Sequence, residues 1–439
     1  MSESLDREGS GTAERPRRTR PRRTRPSWLA GPIVAAALLA MFAGAAQFGF
    51  TAIAADVAEE FGEPMPGNAD DPLAQVGLAL TTMGIGFSIV RLASLASLPA
   101  AGLADRFGRR RTLVACASLG LTATALAGAA PTFWLLVAFL AISRPLLTST
   151  DVVAAVIAAE ETASAGRSSA IALIGGAYAV GSGVISVVRG LIDPFVGFRG
   201  VLALVLVPLV LVPVVARRVG EPPRYAKLAS EGLRHRRLGA VPRDYRGRLG
   251  LLCAITFGVG LVIGPGWTYL FVYGEGVLGA TPLGMSGVVL AAGPVGLLGL
   301  VIGRWCADRL GRRGAAAGTM AMASLAAVAA YSADFPALVA GYLVSITAMA
   351  AYTPAGGTLD AEVFPTSVRA TAAGWLAASG VLGSVIGLVA FGVIIDATGS
   401  FAPAALAVCG PPALLAALYW WLPETRGRDL EQTAPEPAM

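Results

Sequence analysis

Histidine occurs once in this chain of 439 residues, at position 235, and cysteine four times, at 116, 253, 306 and 409. A metal centre, a catalytic dyad or a disulfide framework needs more of these residues, at closer or more regular spacing. No phosphate-binding glycine loop and no nucleophile elbow stands elsewhere in the sequence. The expectation is therefore no enzyme, no metal and no cofactor, with His235 a solvated side chain among arginines. Charge is scarce too. Asp, Glu, Lys and Arg make up only 14% of residues, against about a quarter in soluble globular domains. That excludes a soluble protein of this length.

Apolar residues fill the space, at 55% of the chain. They run almost unbroken, as in "WLAGPIVAAALLAMFAGAAQFGF" (28–50) and "VLALVLVPLVLVPVVA" (201–216). About 18 such residues suffice for a helix to cross a bilayer. Twelve spans are expected, near 29–56, 74–101, 112–130, 132–159, 169–190, 197–216, 249–273, 281–304, 314–332, 336–358, 370–395 and 401–422. They are numbered 1 to 12 below. The expected fold class is an all-α membrane protein.

Basic residues give the orientation. Eight arginines lie in the first 28 residues and ten basic residues between 217 and 248. Others follow span 2 (Arg106, Arg109, Arg110, Arg111) or surround the end of span 8 (Arg304, Arg309, Arg312, Arg313), with Arg167, Arg369, Arg426 and Arg428 on the same side. The opposite side carries acidic segments such as "DVAEEFGEPMPGNADD" (56–71). Basic connections stay cytoplasmic, so a plasma-membrane protein with both termini inside is expected, in agreement with an even number of spans. The organisation is a tail (1–28), a first bundle (29–216), a basic linker (217–248), a second bundle (249–422) and a tail (423–439). Removal of the N-terminal run as a secretion signal would leave an odd number of spans. The arginine-rich tail is expected to lie against anionic lipid, with no nucleic-acid partner.

One phrase is written twice. "ADRFGRR" at 104–110 returns as "ADRLGRR" at 307–313, after spans 2 and 8. "AEETASAGR" (159–167) after span 4 has its echo in "AEVFPTSVR" (361–369) after span 10. The offsets, 203 and 202 residues, agree. Two phrases at one offset argue for a duplicated six-span half, the plan of secondary transporters.

These residues resemble the major facilitator superfamily over about 28–430 of the chain. Its loop signature stands here as Asp105-Arg106-Phe107-Gly108-Arg109-Arg110 and again as Asp308-Arg309-Leu310-Gly311-Arg312-Arg313. Where the family usually has Gly four residues before the Asp, this chain has Ala101 and Arg304, so close helix approach is expected at Gly102 and Gly303. "GEPPRY" (220–225) and "PETRG" (423–427) look like the sugar-porter and organic-ion branches, and "EVFPTSVRAT" (362–371) looks like metabolite:proton transporters. The resemblance implies two six-helix bundles that work by alternating access. It also implies that Asp105 and the arginines tie the two halves together at the cytoplasmic side when the transporter faces outward.

The chemistry of such a latch is elementary. Gly108 and Gly311 provide the backbone freedom of a tight turn. Asp105 can meet the positive N-terminal end of a helix from the other half. Glu160, Glu221, Glu362 and Glu424 lie in sequence near Arg109, Arg110, Arg167, Arg312, Arg313 and Arg369. Wet ion pairs of this kind are weak, about 0–1 kcal/mol each, and therefore breakable. The alternative is that these charges only fix topology.

The resemblance places the substrate cavity at mid-membrane, lined by spans 1, 4, 7 and 10. Polar residues inside spans are candidates because hydrocarbon burial is costly: Gln47, Arg91, Arg144, Asp151, Trp267, Tyr269 and Tyr352. Trp267 and Tyr269 read equally well as interfacial belt residues. Pro265, between two glycines, either frees carbonyls toward a cavity or makes a packing kink. Arg189, near the outer end of span 5, is expected to reach lipid headgroups. Arg144 and Asp151 share a helix face about 10 Å apart, either as a proton-coupling pair or as a static one.

Two deep arginines against one aspartate favour an anionic or carboxylate substrate carried by proton symport, by a protein working as a monomer. The runner-up is a drug:proton exporter, whose span 5 proline signature is missing from "GGAYAVGSGVIS" (175–186). A sugar porter ranks third, since "FGVGLVIGPGWTYLF" (257–271) lacks Gln and Asn. The alternative from another class, a non-transporting receptor, is expected to carry a longer signalling tail than 423–439.

Overall fold

A computed structural model of the chain describes residues 31–62, 78–99, 104, 107–162, 167–219, 242–365, 368–427 and 433–435. Among these residues eleven helices are long and apolar enough to cross a membrane. The exception is span 9, Arg312–Ala330, which opens on two arginines and is rich in Ala and Gly. It still forms a helix of 19 residues, and ten of its side chains are buried against neighbouring helices. The twelve expected spans are therefore all helical. Span 7 begins at Arg243, so the last residues of the expected linker continue the helix beyond its apolar stretch, with Asp244 favourably placed in the first turn.

Packing repeats with the sequence. Span 1 pairs with span 5 in the first half, and span 7 with span 11 in the second. Both pairs pack backbone against backbone. A Cβ on Gly181 would lie 1.9 Å from the Met41 carbonyl oxygen, and one on Gly383 would lie 2.0 Å from that of Phe257. These two glycines are 202 residues apart, the offset of the written repeat. Gly303 does what was expected of it, with its missing Cβ 2.0 Å from the Ala351 carbonyl of span 10. Gly102 lies outside the described residues. The two halves meet where span 2 crosses span 11 and where span 5 crosses span 8.

The duplicated turn has one conformation in both copies. Gly108 (φ 97°, ψ 142°) starts span 3, and Gly311 (φ 85°, ψ 159°) starts span 9. This region of backbone space is essentially reserved for glycine. Around Gly311 the second copy is closed by Glu424. Its carboxylate accepts from the backbone N–H groups of Arg312 (3.0 Å), Arg313 (3.2 Å), Thr425 (3.0 Å) and Arg426 (3.0 Å). It therefore caps the N-terminus of span 9, satisfying donors that a helix start leaves orphaned. Arg426 returns a bond to the Arg309 carbonyl at 2.9 Å, and Arg309 stacks over Trp305. Arg312 pairs with Glu362, and Arg313 bonds the Leu422 carbonyl at 3.0 Å.

Two outcomes follow from this turn. Replacing Gly108 or Gly311 by alanine should cost about 1–3 kcal/mol each. Gly314→Ala, where an added Cβ meets nothing within 4 Å, should be neutral or slightly stabilising. Thermal unfolding in detergent reads the difference. Partial burial acts to raise the Glu424 carboxyl, but its four backbone N–H donors outweigh that and hold it below the ordinary carboxylate range. Its contribution is then fully present above that range and is lost as pH falls through the depressed value. Glu424→Gln should flatten the acid-side decline of the melting temperature between about pH 5 and 3; an unaltered decline contradicts the cap.

Candidate substrate cavity and its closed end

A cavity of about 1400 Å³ lies between the halves, with walls from spans 1, 2, 4 and 5 on one side and 7, 8, 10 and 11 on the other. Most of its surface is Val, Leu, Phe, Ala and Gly. Gln47, Arg91, Arg144 and Trp267, all named from sequence, line it. Gln47 sits 3.5 Å from the Thr148 hydroxyl, which also donates to the Arg144 carbonyl at 2.9 Å. The Nε atoms of Arg91 and Arg144 and the Trp267 indole N–H are buried without a hydrogen-bond partner. Neither guanidinium has a carboxylate partner among the described residues. The cavity also reaches Val34 and Leu38 in the first two turns of span 1, so it extends toward the end that bears the termini.

The other expected site residues fall elsewhere. Tyr269 is fully buried beside the cavity, stacked on Phe391, and its hydroxyl donates to the carbonyls of Leu80 (3.0 Å) and Leu388 (3.2 Å). That bond to Leu80 joins the two halves, so the side chain is neither a ligand group nor an interfacial anchor. Tyr352 shares a 2.7 Å hydrogen bond with Tyr419 inside the second half, just before the π-helical turn Thr353–Gly357. Its hydroxyl is satisfied there and does not line the cavity. Asp151 is off the cavity wall as well. Its Oδ1 is buried without a partner, so no static pair with Arg144 forms. Pro265 serves packing and is off the cavity wall. The Leu261 carbonyl, which the proline leaves without its helical donor, receives the Cys409 thiol at 3.7 Å.

The end opposite the termini is closed. Spans 4, 8 and 10 start there with caps from their own chain neighbourhood, at Thr132, Thr281 and Asp334. Span 2 has no such cap. Its first N–H groups are bound from the other half instead. The Asp396 carboxylate of span 11 accepts from Leu80 N–H at 3.0 Å and Thr81 N–H at 2.7 Å. Glycines let the two helices approach, since a Cβ on Gly392 would lie 2.3 Å from the Leu80 carbonyl oxygen.

Arg189 overturns its expectation. It is 0% exposed and lies between Asp56 of the first half (2.8 Å) and Glu275 of the second (2.6 Å). Lipid headgroups are out of its reach because two carboxylates enclose it. Asp396, Asp56 and Glu275 were missed in the sequence because each sits at a span end, where an acidic residue reads as a loop charge.

At the terminus-bearing end, Asp105, Arg106 and Glu221 lie outside the described residues, as do the side chains of Glu160 and Arg167. Arg109 is buried at the start of span 3, and Arg110 donates to the Ala216 carbonyl at 3.2 Å. Arg369 donates to the Phe364 carbonyl at 3.3 Å, and Arg309 and Asp308 end span 8. In this conformation Arg110 bonds within the first half, and Arg312 and Arg313 within the second. Among the described residues, the hydrogen bonds that join the halves belong to spans 2, 5, 7, 8 and 11, on the side away from the termini.

These contacts make the closed end testable. Arg189→Gln leaves Asp56 and Glu275 facing each other and should disfavour this conformation by about 3–5 kcal/mol. Asp396→Asn, which keeps size but loses charge, should have a smaller effect of the same sign. Thr51, on the cavity wall, reports it. Labelling of a Thr51→Cys protein by an impermeant thiol reagent, applied from the side opposite the termini, should rise severalfold in both variants. Unchanged labelling in both would show that these contacts do not hold the end shut.

Comparison with known proteins fits this geometry. The fold is similar to an inward-open xylose transporter, XylE, from E. coli, at a TM-score of 0.70 and 18% identity, over 91% of this chain and 99% of that one. It is similar to a bacterial homologue of the human lysosomal transporter Spinster, in an inward-facing and occupied conformation, at 0.69 and 16%, over 89% and 95%. A nucleoside transporter, NupG, gives 0.68 and 13%, over 89% and 99%. No curated protein sequence matches the chain. The sequence profile of the Major Facilitator Superfamily matches residues 36–313 and 287–437. Because that profile runs through both halves, where likeness of fold alone would leave ancestry open, the chain belongs to the Major Facilitator Superfamily of transporters.

Proposed function

We propose that the chain carries a small organic anion across the plasma membrane by proton-coupled alternating access, with both termini in the cytoplasm. One observation supports the anion above all others: Arg91 and Arg144 line a cavity between the halves without a carboxylate partner. A guanidinium at membrane depth is costly unless water or an anion answers it. A substrate carboxylate or equivalent group answers both at once, bidentate on one and in reach of the other. Gln47 and the Trp267 N–H supply further polar contacts. With the cytoplasmic assignment of the termini, this conformation faces inward.

The outward-facing state is then the one in which the motif carboxylate of Asp105 meets a helix start of the opposite half, with Arg106, Arg109 and Arg110 beside it. The second copy, Asp308 with Arg309, Arg312 and Arg313, keeps span 9 in register through Glu362 and Glu424. Arg369 and Arg167 begin spans 11 and 5 on the same side. Protons enter through Asp151, two helical turns from Arg144. Proton uptake there and anion binding at Arg144 alternate the charge on one face of span 4, so each favours the other. The protein works as a monomer with lipid around it and the basic tail against anionic headgroups.

Uptake into proteoliposomes tests the reading. Arg144→Gln should lower accumulation of a radiolabelled organic anion by at least tenfold, with insertion unchanged. Asp151→Asn should keep substrate exchange at equal pH while losing accumulation driven by a proton gradient. If Asp151→Asn retains both activities, Asp151 is not the coupling group. If Arg144→Gln transports normally, the anion reading itself is wrong.

A further inference from the structure

Spans 5 and 8 meet near the closed end, where the Ser286 hydroxyl donates to the Ser186 carbonyl at 2.6 Å. Gly190 is required there, since an added Cβ would lie 3.0 Å from the Leu283 Cα. Nearer the termini the same two helices form opposite walls of the cavity. Span 5 offers Val180, Gly183 and Val184, and span 8 offers Leu290, Gly293 and Leu297. The aliphatic members of this cleft are exposed while lining the cavity: Val180 55%, Val184 51%, Leu290 56% and Leu297 66%.

The glycines of the cleft are not packing residues. A Cβ on Gly183 or Gly293 would meet nothing within 4 Å, in contrast to Gly181 and Gly190 on the same helix as Gly183. Glycine weakens a helix relative to alanine, so its presence where no neighbour demands it leaves width in the cleft as what these positions provide. On the wall of the same cavity stand the guanidiniums of Arg91 and Arg144, without a carboxylate partner among the described residues. A small polar anion would satisfy Arg91 and Arg144 but leave the aliphatic wall wetted. An anion with an apolar body satisfies both surfaces.

Resting on the anion reading above, we propose that the substrate is an amphipathic anion: its charged head sits at Arg91 and Arg144, and its apolar body lies along the Gly183–Gly293 cleft between spans 5 and 8. Gly183 and Gly293 are then the residues that set how bulky that body can be.

Straight-chain alkane-1-sulfonates from butane to decane are suitable probes, because their heads stay charged at any working pH. Binding to the purified protein in lipid nanodiscs is measured by tryptophan quenching, with empty nanodiscs subtracted for partitioning and Trp267→Phe as the signal control. Affinity should rise about threefold to fourfold per added methylene over several carbons, while succinate binds no better than butane-1-sulfonate. Gly183→Leu combined with Gly293→Leu should abolish the rise for the long chains and leave butane-1-sulfonate unaffected. Gly183→Ala with Gly293→Ala should behave as the parent, which separates lost width from a stiffened helix. Affinity independent of chain length overturns the amphipathic proposal while leaving the anion reading in place, provided binding is lost in Arg91→Gln/Arg144→Gln. So does an equal loss for short and long chains in the leucine variant. Sulfonate binding that survives the double arginine substitution overturns both. Should the leucine variant fail to fold, the chain-length series on the parent protein decides alone.

Discussion

A guanidinium inside a membrane protein must find a carboxylate, a polar ligand or water, and the architecture of this chain turns on which of these each arginine finds. Arg189 has two carboxylates, one from each half, and no exposed surface. It acts as a closure. Arg91 and Arg144 have none and face a hollow. They mark the place where the missing charge belongs. The same residue type thus separates gate from site within one sheltered volume, and the distinction rests on partners rather than on position along a helix.

The closed end depends equally on helix starts. Three even-numbered spans that begin there cap themselves, whereas span 2 relies on Asp396 from the other half. Its amide groups must exchange that carboxylate for water whenever the halves part. Exchange of this kind costs little net free energy, because water replaces a bond of similar strength. Arg189 is different, because parting the halves leaves a buried charge to be rehydrated. The closed end therefore combines one contact that releases easily with one that holds.

Much of this was legible beforehand. The apolar runs located all twelve helices, and the written repeat at 202–203 residues was matched by a packing repeat in Gly181 and Gly383. Four of the seven proposed cavity residues line the cavity: Gln47, Arg91, Arg144 and Trp267. Asp151 stands off the wall with its Oδ1 unpartnered, whereas the other misses share a physical cause. Tyr269, Tyr352 and Arg189 are polar groups satisfied by partners far away in the sequence, such as Leu80, Tyr419 and Glu275. One-dimensional reading identifies a polar group that needs a partner but not whether the fold already supplies it. The width between spans 5 and 8 was hidden for the converse reason, since a packed glycine and an unpacked one are the same letter.

Span 9 has a consequence for biosynthesis. Its leading arginines bring the helix as a whole below the apolarity that qualifies the other spans, so its first turn is a poor fit to hydrocarbon as it leaves the ribosome. Protein covers one face of it: ten buried side chains pack against spans 7, 8, 10 and 12. Two of those four neighbours are made after it. The packing of its buried face is therefore completed only when later helices arrive, and its two leading arginines keep its first turn on the basic side while it waits.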